Sequence, residues 1–499
     1  MTPTDDLFAL IQAMSKAERR RFALESGEDS NYVRLFQAIA AQAQYDEAAL
    51  RAAFAGEAFV KNFSVAKAYL YDRILHVLRS PLKPTSPEMA MRRLLDDVEL
   101  LQGKGLFVQA QKVVLRGIAQ ARALDLPAIE AEFHKWRRRV VNQLGGKARA
   151  EALEAVDAEE AAALQALVED SQLRALFAQV QGMALQQIDL RQPENASRLA
   201  ALMAHPLLAG PPDGLHFQAR CNYHLTHATH TRMRGDAAAS LTHHQAHVQV
   251  WEAHPRQVAA FPHPYVNALA GFLDSCIRSH AYAGFAARLA ALRALPLQDA
   301  KLRAQAFYLG HHLALRYAIS TGHLDEGVQQ AADIEAGLAT HARFLHPGVP
   351  LTFRYNLAVV HFLAGDHRTT VRYVNRILND TALGLRQDVL DATRLLELAA
   401  HFELAHHDLL ESLLRSMDRR LRLQPRAYAF EKVLVQGIRR LLDTPEEEQG
   451  AVFVEMREAF DAIKGATYIA GREEIHWWLL GRIEGRPVQA LMQAGDPRG

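Results

Sequence analysis

The chain lacks most of the residues and patterns that mark specialised classes of protein. Its 499 residues hold two cysteines, Cys221 and Cys276, and no Cys-x-x-Cys pair, which excludes a disulfide framework. Lysine and arginine number 57 against 56 aspartates and glutamates, so no net field draws the protein onto nucleic acid or an anionic membrane. No run approaches the roughly 18 apolar residues that a membrane span needs. The first residues, MTPTDDLF, are acidic where a secretory signal would be basic. These absences predict a soluble cytoplasmic protein with no membrane partner. Enzyme signatures are missing too: there is no GxxxxGK[ST] loop, no GxGxxG after a strand, no GxSxG elbow and no HExxH. No cofactor is implied.

What is present points to helices. Hydrophobic residues make up 49% and charged residues 23%, a globular balance rather than a disordered one. The length exceeds one ordinary core, so the chain is several domains or an elongated repeat array. Residues 1–80 read as an all-helical module. Leu7, Leu10, Ile11 and Met14 form one apolar stripe, and Ser15-Lys16-Ala17-Glu18 has the form of a capping box. Helices are expected over 31–42, over 46–54 with Asp46 as cap, and over 64–79 with Val65, Tyr69, Ile74 and Leu78 inward. Pro81, Pro84 and Pro87 mark a boundary, because proline breaks a helix and biases its predecessor toward extended structure.

Beyond Pro87 there is no sustained period-2 alternation and no Asn-Gly hairpin. The stretch 352–380 instead reads as two amphipathic helices joined at Gly365-Asp366. Leu357, Ala358 and His361 share one face of the first helix, and Thr370, Val374 and Ile377 repeat at helical spacing on the second. The hairpin recurs. Small residues just after successive turns (Ala110, Ala152, Ser197, Ser240, Gly284, Gly327, Thr370 and Ser412) are spaced about 42 to 45 residues apart, within the range of repeat arrays. Gly105, Gly235, Gly322 and Gly365 each stand five positions before one of them.

This hairpin, with Leu and Ala, then an aromatic or His, a Gly-Asp turn and a small residue, resembles the tetratricopeptide superfamily. The match is clearest in 352–380, 223–252 and 91–124. Its period, about 43, is longer than the usual tetratricopeptide length of about 34. The resemblance implies an all-α, right-handed α-solenoid of about eight or nine helix pairs over residues 88–460. Residues 1–80 would precede it, and 461–499 would supply capping helices and a tail. The opening LFALIQAMSKAERRRF looks like the start of uncharacterised bacterial proteins with such repeats, a likeness that brings no activity with it. In such proteins the first helix of each pair generally lines a concave groove. That places candidate partner-binding residues on 215–232, 305–320 and 352–363: His224, His227, Arg316, Tyr317, Arg354, Asn356 and His361.

Three other features carry weaker chemistry. The chain has 24 histidines, 11 of them between His205 and His280. His243 and His247 form an i,i+4 pair that a zinc ion can use, but no cysteine or carboxylate pattern completes a site, and packing or surface use is the simpler reading. Basic clusters occur at Arg19-Arg20-Arg21, around Trp136 and at 419–422. Each lies in an amphipathic helix, where long basic side chains usually cover the polar face; the first is the better candidate for a nucleic-acid contact. The hydrophobic run Ile475-His476-Trp477-Trp478-Leu479-Leu480 is expected to cap the end of the array, with partner docking on the Trp pair as the alternative. The leading functional expectation is a non-enzymatic scaffold or adaptor binding protein or peptide in the groove. The alternative is a transcriptional or signalling regulator whose N-terminal module binds nucleic acid and whose repeats sense a ligand.

Overall fold

The computed structural model describes residues 4–26, 31–79, 86–144, 149–186, 188–379, 387–423, 429–463 and 471–495. No strand occurs among them, and every regular element is a helix. Pro81, Pro84 and the expected tail at 496–499 lie outside the described residues. Pro87 does not end a helix. It opens Pro87–Gly103, whose N-cap Ser86 accepts the Met89 N–H at 3.2 Å, the one helical position where proline's missing donor costs nothing. By its internal contacts the chain divides into two units, Met1–Arg122 with Ile129–Asp157, and Ala123–Ala128 with Ala158–Gly499.

In the first unit Leu7, Ile11 and Met14 pack into one core with Phe22, Phe36, Phe63 and Ile74. The Ser15 N–H donates to Glu18 Oε2 at 2.7 Å and the Glu18 N–H to Ser15 Oγ at 3.3 Å, so the capping box forms reciprocally. Asp46 caps Glu47–Ala53 through the Ala49 N–H. On the Phe63–Arg79 helix Ile74 is buried and Leu78 packs against the core as expected, but Val65 and Tyr69 are 66% and 51% exposed, and Phe63, Ala66, Leu70 and Val77 are buried in their place. Two adjacent rows of that helix are apolar. Lys67, buried beside the inward row, pairs with the partly exposed Glu47 at 2.5 Å.

In the second unit one turn recurs. At Gly235 and Gly365 the glycine has φ of +80° and +82°. Its N–H returns to the carbonyl three residues back, and the next N–H bonds one five residues back (Asp236 to Thr231, Asp366 to His361). Those bonds satisfy the last carbonyls of one helix. Asp236 and Asp366 then cap the next helix through Ala239 and Thr369. The same two-bond turn is made at His280 (φ +52°) and Ala405 (φ +55°), where no glycine advertises it. The position five after each turn is buried throughout: Ser240, Phe285, Gly327, Thr370 and Leu410. It is not always small. Ser197 and Ser412 are exposed, so the small-residue spacing misplaces the register there. Arg149–Leu185 is one unbroken helix of 37 residues, where the period implies two. Its Ala-, Glu- and Leu-rich sequence contains no glycine or proline before Gly182 to make a turn.

Where the glycine turns operate, the helix pairs pack closely. Thr370 Oγ1 donates to the Asp366 carbonyl at 2.9 Å, and Ser240 Oγ to the Ala228 carbonyl of the preceding helix at 3.0 Å. Both side chains are essentially inaccessible. Changing Thr370 or Ser240 to phenylalanine should therefore cost about 1–3 kcal/mol by overpacking, read as a lower denaturant midpoint. Unchanged unfolding for both would contradict the register.

From Phe217 onward each helix packs on the next in chain order, and alternate helices pack on one another: Pro262–Ser279 on Ala300–Thr321, that on Val349–Leu363, that on Gln387–Glu403, and that on Ala429–Asp443. The last helices return on this row. Arg472–Glu484 packs on Gln449–Asp461 and also on Val349–Leu363 and Gln387–Glu403, while Val488–Ala494 reaches Ala300–Thr321. Trp478 is buried among Phe362, Phe402 and Phe453, its Nε1 donating to Glu403 at 2.7 Å. The C-terminal run thus contacts the middle of the row as well as its end.

Candidate functional site

The alternate helices and the returning C-terminal helix enclose a cavity of about 610 Å³. Helical spacing explains its composition. Tyr308, His312 and Arg316 stand four residues apart on Ala300–Thr321 and so share one side of it. Asp274 and Arg278 do the same on Pro262–Ser279, Thr352 and Asn356 on Val349–Leu363, and Glu473 and Trp477 on Arg472–Glu484.

Two charge systems meet there. Asp274 pairs with both Arg316 and Arg278, one oxygen to each. Burial alone would push the Asp274 carboxyl up, but the charges of Arg278 and Arg316 and the Arg316 hydrogen bond outweigh it and hold it below the usual carboxylate range. One carboxylate between two guanidiniums leaves a net positive charge, and both arginine side chains remain about a third exposed. The second system is Glu473 and Glu474 in the first turn of Arg472–Glu484. That helix begins at Gly471, at φ +87°, where a side chain would meet Ala392. Glu474 is 7% exposed. Tyr355 donates its hydroxyl to Oε1 at 3.3 Å, whereas Oε2 is buried with no hydrogen-bond partner among the described residues. Burial, reinforced by the neighbouring Glu473 charge, pushes the Glu474 carboxyl up to about 7. Between the two systems Asn356 Nδ2 donates to His312 Nδ1 at 3.1 Å. Burial and the Arg316 charge bring His312 down to about 4, so it is neutral at neutral pH.

Of the residues expected to line a groove, Arg316 and Asn356 line this cavity. Tyr317 does not; its ring stacks on Phe285 with centroids 4.5 Å apart and meets Tyr282 edge-on. His361 is buried at the hairpin turn, its Nδ1 3.2 Å from Asp366 Oδ2 and its ring stacked on Tyr373. Arg354 is half-buried and outside the cavity lining. His224 and His227 lie with His243 in a packed imidazole cluster: His224 and His243 approach Nδ1 to Nδ1 at 3.4 Å, His227 stacks on His243, and His227 Nε2 donates to the Leu208 carbonyl. His247 accepts from Trp251 Nε1 at 3.1 Å and is 4% exposed. That bond occupies its Nε2, and no group of three or more His, Cys, Asp or Glu among the described residues is arranged to hold a metal ion. The sequence reading missed Asp274, His312, Glu473 and Glu474. Their only signal was helical spacing toward residues distant in the chain.

Of the N-terminal basic triplet, two members are engaged within their own module. Arg19 donates to the Met14 and Gln12 carbonyls and Arg21 to the Val77 carbonyl; only Arg20 of the triplet is exposed. Two of the three arginines offered as a nucleic-acid contact thus tie their own module together. Cys221 and Cys276 are buried free thiols, both pushed up by burial, Cys276 to about 11, and so unreactive. A larger cleft of about 940 Å³ lies beside Pro193–Met203 and Phe217–Met233. His230 and Arg234 line it among aliphatic side chains, and its Asp189–Arg191 pair closes on itself.

No helix among the described residues is long and apolar enough to cross a membrane. No protein-family model, curated protein or solved structure matches the chain significantly.

Proposed function

We propose that this chain is a non-enzymatic binding scaffold, a tetratricopeptide-like α-solenoid that holds a protein or peptide segment on the side formed by the first helices of its pairs. The observation that carries this reading is the cavity itself. Three successive alternate helices and a fourth from the C-terminus aim polar groups into one space of about 610 Å³, the combination of shaped apolar walls and a few convergent polar groups that marks a binding site. Tyr308 and Trp477 supply apolar surface; Arg278, Arg316, Asn356 and Glu474 supply direction. The inert thiols favour binding over nucleophilic chemistry.

The test compares tagged wild-type protein with Arg316→Glu and Asn356→Ala variants, purified from the native host with nuclease present. The reading expects a reproducible protein partner that the wild type retains and the folded Arg316→Glu variant loses at least tenfold. A partner set unchanged in both variants, or one that vanishes with nuclease, would overturn it. The second outcome would move attention to residues 1–80.

A further inference from the structure

We infer that the cavity is a receptor for a dipolar ligand, with an amine cation seated on Glu474 and a carboxylate held by Arg278 and Arg316. This rests on the reading of that space as a binding site and gives its occupant a chemistry.

Glu474 is the starting point. A carboxylate oxygen that is buried without a hydrogen bond costs free energy unless something satisfies it. Oε2 is such an atom, in a side chain 7% exposed that lines the cavity. The complementary group is an N–H donor, and Glu473, exposed in the same turn, adds negative charge that favours a cation. The arginines set the other requirement. Each guanidinium has five donors, and Asp274 engages the pair with one oxygen apiece. The remaining donors and the net positive charge suit a carboxylate. A simple metal cation would be repelled by two guanidiniums, and a polyphosphate by Glu473 and Glu474. A group carrying both signs answers both systems. Trp477 and Tyr308 provide apolar surface for the carbon skeleton between them.

Two sources present that chemistry: the two termini of a short free peptide, or a lysine and an acidic side chain within a longer segment. Equilibrium dialysis of the full-length protein separates them. The probes are a library of free tripeptides, the same library N-acetylated or C-amidated, and acetyl-Lys-Ala-Glu-amide. The inference expects retention of free tripeptides that falls at least tenfold with either cap, or retention of the doubly capped lysine–glutamate peptide. In either case Glu474→Gln and Arg316→Gln should each weaken binding at least tenfold. Retention of neither probe, or retention indifferent to the caps, would overturn the inference without needing the variants. A protein partner lost in Arg316→Glu alongside tripeptides that never bind would leave the scaffold reading standing and remove this one.

Discussion

Replacing Trp478 by alanine should destabilise the second unit by about 3–5 kcal/mol, the range for removing a large buried aromatic. The indole is 3% exposed, contacts three phenylalanine rings from three helices, and donates to Glu403. Alanine would open a void and leave that half-buried carboxylate without its donor. Trp478→Phe keeps an aromatic ring but loses the bond and part of the indole's volume, so it should cost less than alanine, about 1–3 kcal/mol. Trp477→Ala, at a half-buried cavity wall, should cost less than Trp478→Ala while impairing ligand retention. Urea unfolding of the three variants checks the order. Equal small losses for all three would mean that Arg472–Glu484 does not anchor on the row of alternate helices.

The second large effect is loss of stability in mild acid. Burial, assisted by neighbouring positive charge, holds His224, His243, His244 and His312 down to about 4 and His247 to about 3. In the unfolded chain these imidazoles take up protons near pH 6.5. Below that pH the unfolded state binds more protons than the folded one, so stability is full above about 6.5 and falls as the pH drops toward 4. His247 alone accounts for about 3 kcal/mol by pH 4, at about 1.4 kcal/mol per tenfold. Glu397 and Glu474 act in the opposite direction, since burial pushes both carboxyls up to about 7 and favours their protonated form in the fold, but they are two carboxyls against five imidazoles. Melting temperature should therefore drop steeply between pH 7 and 5. His247→Gln, which keeps an acceptor for Trp251 Nε1, should move the acid midpoint lower. A flat profile over that interval would contradict the buried, neutral state of these rings.

The helical class was legible because it rests on local chemistry. The Ser15–Glu18 box, the Asp46 cap and the Gly-Asp turns are short-range signals, and each forms as its residues dictate. The failures have equally local causes. His280 and Ala405 adopt the left-handed turn that glycine usually marks, so turns at these positions were invisible and the register slid to Gly284 and Ser412. On Phe63–Arg79 two apolar rows competed, and the row through Ala66, Leu70 and Val77 is the buried one while Val65 and Tyr69 face outward. The candidate site was the least legible part. Arg316 and Asn356, named through the tetratricopeptide resemblance, line the cavity, but Glu474 joins its lining only because the chain returns to its own middle. No periodicity in residues 471–484 encodes that contact. His361 and Tyr317 looked like surface groups by the same resemblance and are instead packed at a turn and in an aromatic stack.

The most direct test of the scaffold reading is site-specific photo-crosslinking in the native host, with a benzophenone amino acid placed at Thr352, on the cavity wall, or at Arg372, exposed on His367–Leu378. The account predicts discrete protein or peptide adducts at Thr352, lost when Glu474→Gln and Arg316→Gln are combined with it, and none of these adducts at Arg372. Identical adducts at both positions, or none at Thr352, would contradict it.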